Sequence, residues 1–299
     1  MNQSITPSTT PASAPEWFYQ AIENQAQSAY FRHQSINLHY LQWLDGSESV
    51  QDSKAKPALI FTHGFRGHAR WWGFVAPFFS KHYRVYALDF SGMGDSDNSP
   101  VYDKDNHAIE LLALIEHLQL SDVTVVGHSF GGGRSFRAAA KNSAPFKRII
   151  VVDSHITFED DVIGIDPSPQ RQKKYYQSLG EGLNRFRLTP AQPDSCDYIV
   201  DYIGRHSLVA EANQWTWKFD PALLVEDITS KNGGEILSKV DCPVDYIYAT
   251  DSVVVNQARA ERIYASLARP GRFIRVPGGH HHLMASHPVT LIATLQALL

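Results

Sequence analysis

From Pro57 onward the chain repeats one pattern: a short continuous apolar run, a turn, then a segment with apolar residues at helical spacing. The runs lie at Ala58–Thr62, Arg84–Leu88, Val123–Val126, Arg148–Val152, Val244–Ala249 and Arg272–Val276. Unbroken apolar runs of this length fit strands buried on both faces of a parallel sheet. Between or after them, the spacing predicts helices over Arg70–Lys81, His107–Leu118, Arg134–Lys141, Asn256–Leu267 and Pro288–Leu299. Such alternation predicts an α/β, doubly wound sheet. Upstream, Ser28–His33 and Ile36–Leu44 read as two more strands. The second alternates as Ile36, Leu38, Tyr40, Gln42, Leu44, which suits a half-buried antiparallel edge and brings the mostly parallel sheet to eight strands.

Between Val152 and Val244 the rhythm stops for about ninety residues, far more than a crossover needs. Residues 154–239 are therefore expected to form an inserted subdomain. It has helical-looking pieces at Pro169–Leu179 and Ser195–Gly204 and is rich in aromatics, among them Tyr175, Tyr176, Trp215, Trp217 and Phe219. Residues 28–153 and 240–299 form the α/β core. Glu16–Gln27 is expected to be a short helix docking Trp17, Phe18 and Ile22 onto the body, and Asp45–Lys56 a surface loop. The first fifteen residues lack the basic start and apolar run of a signal peptide and read as a disordered leader. No internal repeat is evident.

Composition narrows the function without naming it. A chain of 299 residues with 43% apolar and 19% charged residues is ordinary for a globular protein. A net charge of −4 makes no electrostatic case for nucleic acid or an anionic membrane surface. No run is long and apolar enough to span a bilayer. Cys196 and Cys242 are too few and too far apart for a disulfide framework or a zinc site, so two reduced thiols in a cytoplasmic protein are expected.

Candidate chemistry concentrates where the run Val123–Val126 enters Gly127-His128-Ser129-Phe130-Gly131. A serine hydroxyl becomes a nucleophile when a sharp strand-to-helix turn holds it clear of the backbone beside a base and an oxyanion hole. Gly127 and Gly131 are expected because a Cβ there would strike the neighbouring strand or helix. The N–H of Phe130 would then sit at a helix N-terminus, facing a developing oxyanion. The five-residue pattern alone recurs by chance; the strand before it and the helix after it supply the specificity. The base is expected in Gly279-His280-His281-His282, which follows the last run and so lies at the same sheet edge as Ser129. A metal site is the other sharp reading of three histidines, but consecutive residues do not readily converge on one ion, and none is assigned. Asp251, just beyond Val244–Ala249, is the natural orienting acid, although a turn-capping role competes. Asp153, ending the preceding run, is the alternative. The N–H of Phe65, in Thr62-His63-Gly64-Phe65, is the candidate second oxyanion donor. The carboxylates of Asp89–Ser96 are read as structural.

Taken in order, His63-Gly64, Asp89–Ser96, Gly127–Gly131, Asp251 and Gly279–His281 resemble the α/β-hydrolase superfamily, over nearly everything from Ser28 to Leu299. The resemblance implies an α/β-hydrolase fold in which the insertion is a helical lid, and a serine hydrolase working through an acyl-enzyme without a cofactor. Trp215–Pro221 is similar to the lid-closing segment of esterase, lactonase and carbon–carbon bond hydrolase branches. Trp215, Trp217 and His128 are accordingly assigned to substrate binding. Two departures stand out. The family's Gly-x-x-Asp is here Ala249-Thr250-Asp251-Ser252, with the aspartate one residue early, which keeps Asp153 open beside Asp251. The family histidine follows glycine, selecting His280, but also precedes a proline by seven residues, selecting His281, which is preferred. The expected partner is a small ester-like substrate, with lactone or carbon–carbon bond cleavage as the alternative within enzymes and a non-catalytic ligand receptor as the alternative outside them.

Overall fold

The computed structural model describes residues 14–44, 56–102, 105–162, 172–223 and 231–299. Nearly all of the expected leader, the loop at 45–55 and the start of the helix expected from Pro169 lie outside the described residues. An eight-stranded sheet runs through the protein. At one edge β1 (Gln27–His33) pairs antiparallel with β2 (Ile36–Trp43), and β2 pairs antiparallel with β4 (Arg84–Leu88). All remaining pairs are parallel, in the order β4, β3 (Ala58–Thr62), β5 (Val123–His128), β6 (Phe146–Val152), β10 (Val244–Ala249) and β11 (Pro270–Val276). Strands β3, β5 and β10 are buried along their whole length, as their unbroken apolar runs require.

Each face of the sheet has its own core. On one, α2 (Asn106–His117), α3 (Phe130–Lys141) and α7 (Gln257–Ala265) bury Leu111, Phe136, Ile149, Tyr246 and Ile263. On the other, α1 (Glu16–Glu23) and α9 (Pro288–Leu298) bury Phe18, Phe61, Trp72 and Leu291. The helix expected at Arg70–Lys81 is instead two 3₁₀ turns, Ala69–Trp72 and Ala76–Phe79. Pro77, at the start of the second turn, has no N–H to extend a helix from the residues before it.

The segment between β6 and β10 also departs from expectation, because it is not purely helical. It holds α4 (Leu179–Leu183), α5 (Asp197–His206) and α6 (Gly233–Ser238), together with a three-stranded antiparallel sheet of β7 (Tyr175–Tyr176), β9 (Gln214–Trp217) and β8 (Leu208–Glu211). Tyr175 and Tyr176 fall in a stretch that was expected to be helical. The hairpin between β8 and β9 turns on Ala212 and Asn213, both at positive φ (48° and 65°), the two-residue geometry that matches strand twist. The insertion is anchored on the core: α5 contributes Ile199 and Ile203 to the Trp72 side, and an isolated bridge joins Phe219 to Met93.

Phe61 is fully buried on β3, with its ring 4.8 Å from that of Trp72. Phe61→Ala should lower the unfolding free energy by about 3–5 kcal/mol, read as a fall in urea midpoint at unchanged slope.

Candidate active site

Strand β5 ends at His128 and α3 begins at Phe130, so the reversal falls on one residue. Ser129 takes φ 51° and ψ −117°, outside the regions L-residues favour. The surrounding contacts hold it there. The Ser129 N–H donates to Val152 O at 3.0 Å, and the Ser154 hydroxyl donates to Ser129 O at 2.6 Å. Only glycine fits beside this turn. A Cβ on Gly127 would come within 2.7 Å of the Gly132 backbone, and one on Gly131 within 2.7 Å of the Thr62 carbonyl.

Next to Ser129 the structure builds a hydrogen-bonded relay. Ser129 Oγ lies 3.0 Å from His281 Nε2, and His281 Nδ1 lies 2.7 Å from Asp153 Oδ2. Because the ionised carboxylate only accepts, His281 carries its proton on Nδ1 and turns the Nε2 lone pair toward the serine. Asp153 has no solvent exposure, and its oxygens are satisfied otherwise by the Ser252 hydroxyl (2.6 Å) and the Ala249 N–H (3.2 Å). Of the two carboxylates weighed from sequence, Asp153 rather than the preferred Asp251 is the one placed on the histidine. Asp251 is exposed; its N–H donates to Gly279 O, and its carboxylate accepts from the Thr250 hydroxyl. The reason is topological: β6 lies between β5 and β10, so a residue ending β6 is one strand from Ser129, whereas the turn after β10 carries Asp251 outward. His281 is likewise the histidine in the relay, while His280 Nδ1 faces the Asp251 carbonyl at 3.2 Å.

The loop after β3 passes over the serine. A Cβ on Gly64 would lie 3.7 Å from Ser129 Cβ, which puts the neighbouring Phe65 beside the turn. Phe130 opens α3, where the first N–H groups have no acceptor within the helix. His63 ties this loop down: its Nδ1–H donates to Gly64 O at 2.8 Å and its Nε2 accepts the Phe90 N–H at 3.2 Å. Burial keeps the His63 ring neutral by lowering its pKa. The Asp89 carboxylate is structural, as expected, taking hydrogen bonds from the Ala69 and Asp95 amides and from His39.

Behind Phe130 sits a buried polar cluster. The Arg134 guanidinium lies 4.0 Å from the centre of the Phe130 ring, and Glu110 accepts the Ser91 N–H at 2.9 Å. Burial pushes the Glu110 carboxyl up to about 7 and His107 down to about 3.

The three residues assigned to substrate binding separate. Trp217 donates to the Tyr176 hydroxyl at 3.1 Å and packs near Phe186, so its ring belongs to the core of the insertion. Trp215 is half-buried on the same strand, paired with Tyr176 and Ala210. His128 is buried under the site, where its Nε2–H donates to the His281 carbonyl at 2.9 Å. Ser252, Ser154 and His63 are supporting residues that the sequence did not single out in these roles. For Ser252 the available signal was its place beside Asp251 at the end of a strand.

Comparison with known proteins agrees with this architecture. Residues 57–288 match the family model described as alpha/beta hydrolase fold. A putative esterase/lipase of Haemophilus influenzae is 35% identical over 104 residues, which is 35% of this chain and 36% of that protein, so the match spans little more than a third of the relative. A non-heme chloroperoxidase of Streptomyces lividans is 27% identical over 259 residues, covering 80% of this chain and 90% of that protein. Among solved structures, a thioesterase domain from the curacin biosynthetic pathway superposes with a TM-score of 0.76 over 92% of this chain and 100% of that domain, at 16% identity, a likeness of fold alone. The chain belongs to the α/β-hydrolase fold family.

The buried Glu110 gives the fold a signature in pH. Its carboxyl is raised to about 7 from an ordinary 4.5, so between these values the folded chain holds a proton that the unfolded chain releases. Stability from this group is therefore present below the lower value and lost as pH rises through the window. Relative to Glu110→Gln, the wild-type melting temperature should fall between about pH 5 and about pH 8. A constant difference between the two proteins over that range would contradict this account.

Proposed function

We propose that the chain is a serine hydrolase that cleaves a carboxylic ester of a small apolar substrate through an acyl-enzyme. The observation that carries this reading is the continuous relay from Asp153 through His281 to Ser129, at 2.7 and 3.0 Å. His281 Nε2 removes the hydroxyl proton as Ser129 Oγ attacks the ester carbonyl. The N–H groups of Phe65 and Phe130 receive the negative charge that develops on the carbonyl oxygen. His281, now protonated, is steadied by Asp153 and passes its proton to the departing alcohol. Water enters, loses a proton to the same nitrogen and releases the acid. The inserted segment acts as a lid over this edge, with Phe219 and the half-buried Trp215 offering apolar surface to the substrate. The chain's similarity to a protein described as a putative esterase/lipase supports the ester assignment.

With a short-chain chromogenic ester, Ser129→Ala and His281→Ala should each lower kcat by ~10⁴-fold or more. Asp153→Asn should cost on the order of 10⁴-fold, because the amide selects the wrong imidazole tautomer, while Asp251→Asn and His280→Ala stay within a fewfold of wild type. Equal activity in wild type and Ser129→Ala would reject the nucleophile, and a large loss confined to Asp251→Asn would reject the relay.

A further inference from the structure

Three histidines meet beneath the serine: His128 from the end of β5, and His281 and His282 from the loop after β11. One ring nitrogen from each lies within 4.8 Å of those of the other two. The ring centroids are 4.9 Å apart for His128–His281, 4.9 Å for His281–His282 and 5.5 Å for His128–His282. All three are buried, at 1% exposure for His128 and 4% for the other two.

Their tautomers follow from what each ring touches. His281 donates through Nδ1 to Asp153, leaving the Nε2 lone pair on the site side. His128 donates through Nε2 to the His281 carbonyl, which can only accept, so its lone pair is on Nδ1, and that nitrogen has no hydrogen-bond partner. His282 interacts with the backbone carbonyls of Thr189 and Pro190. Three buried imidazoles whose nitrogens approach this closely form a donor set suited to borderline transition metals.

We propose that His128, His281 and His282 form an inhibitory binding site for a first-row divalent transition-metal ion such as Zn²⁺. Asp153, hydrogen-bonded to His281 Nδ1, is the outer carboxylate that commonly orients a metal-bound histidine. Zinc–nitrogen bonds of ~2.05 Å place tetrahedral donors about 3.4 Å apart, so the rings need shift only about an ångström to close on the ion. The buried Trp71 packs beside the cluster, its ring 5.3 Å from that of His282 and 6.4 Å from that of His128. Ser129 is partly exposed, so the reaction cleft is the route of entry. Coordination takes the His281 Nε2 lone pair away from Ser129 Oγ, and the serine loses its base.

The binding site rests on the histidine geometry, whereas the inhibition also rests on the serine-hydrolase reading, so the two are measured separately. Zn²⁺ is titrated calorimetrically into Ser129→Ala, which needs no turnover, and Co²⁺ is followed by its visible absorption. One ion per chain is expected, with affinity reduced by at least about tenfold in Ser129→Ala proteins also carrying His282→Ala or His282→Phe, and by about 10- to 100-fold with Asp153→Asn. His280→Ala and His287→Ala serve as controls and should bind as the parent. Thermal melts of each variant identify any that fail to fold, and the two His282 replacements guard against such a loss. In the wild type, micromolar Zn²⁺ should suppress hydrolysis of the chromogenic ester, with recovery on adding EDTA. Absence of Zn²⁺ binding to the folded Ser129→Ala protein, or binding that survives both His282 replacements but not His280→Ala, would overturn the site. Binding without inhibition of a working esterase would overturn the regulatory role alone.

Discussion

The site depends on a carboxylate placed where it has no water. Asp153 ends the strand between β5 and β10 with no solvent exposure, so its charge must be met by protein hydrogen bonds. Three donors converge on it: the Ala249 N–H, the Ser252 hydroxyl and His281 Nδ1. Two come from the end of β10 and the turn after it and the third from the loop after β11, so the carboxylate connects β6, β10 and that loop. The His281 ring is held in one orientation as a result, with Nδ1 on Asp153 and Nε2 toward the Ser129 hydroxyl.

Strain at Ser129 is sustained in a similar way. An L-residue at φ 51° and ψ −117° would relax if its neighbours allowed it, but the first turn of α3 is pressed against β3 and the turn itself is pinned by Val152 and Ser154. The same pressing together brings the Gly64–Phe65 loop over the serine. His63, buried and neutral, then cross-links that loop to Phe90.

The insertion has a different relation to the core. It is attached through the backbone of Gly92 and Gly94, which bond Asp220 and Lys218, and through the Lys218–Asp95 ion pair at 2.5 Å. Its aromatics mostly pack on one another, as Trp217 does with Tyr176 and Phe186. The strand ends that gather Ser129, His281 and Asp153 and the insertion with its own small sheet are therefore separate parts of the chain.

Much of this was legible beforehand, for local reasons. Buried parallel strands write themselves as unbroken apolar runs, and the strand-turn-helix around Ser129 has a glycine pattern imposed by close approach, so the sheet and the sharp turn at Ser129 could be read directly. His281 was reachable from its spacing to Pro288. The sequence did not determine which carboxylate faces that histidine, because Asp153 and Asp251 both end apolar runs, and the choice depends on strand order and on the direction of a turn. Nor did it show the small sheet in the insertion, whose strands are too short for a clear period, or the gathering of His128 with His281 and His282. Those features arise when residues 153 positions apart are brought to one sheet edge, as in the His128–His281 hydrogen bond, and only the tertiary structure makes that contact.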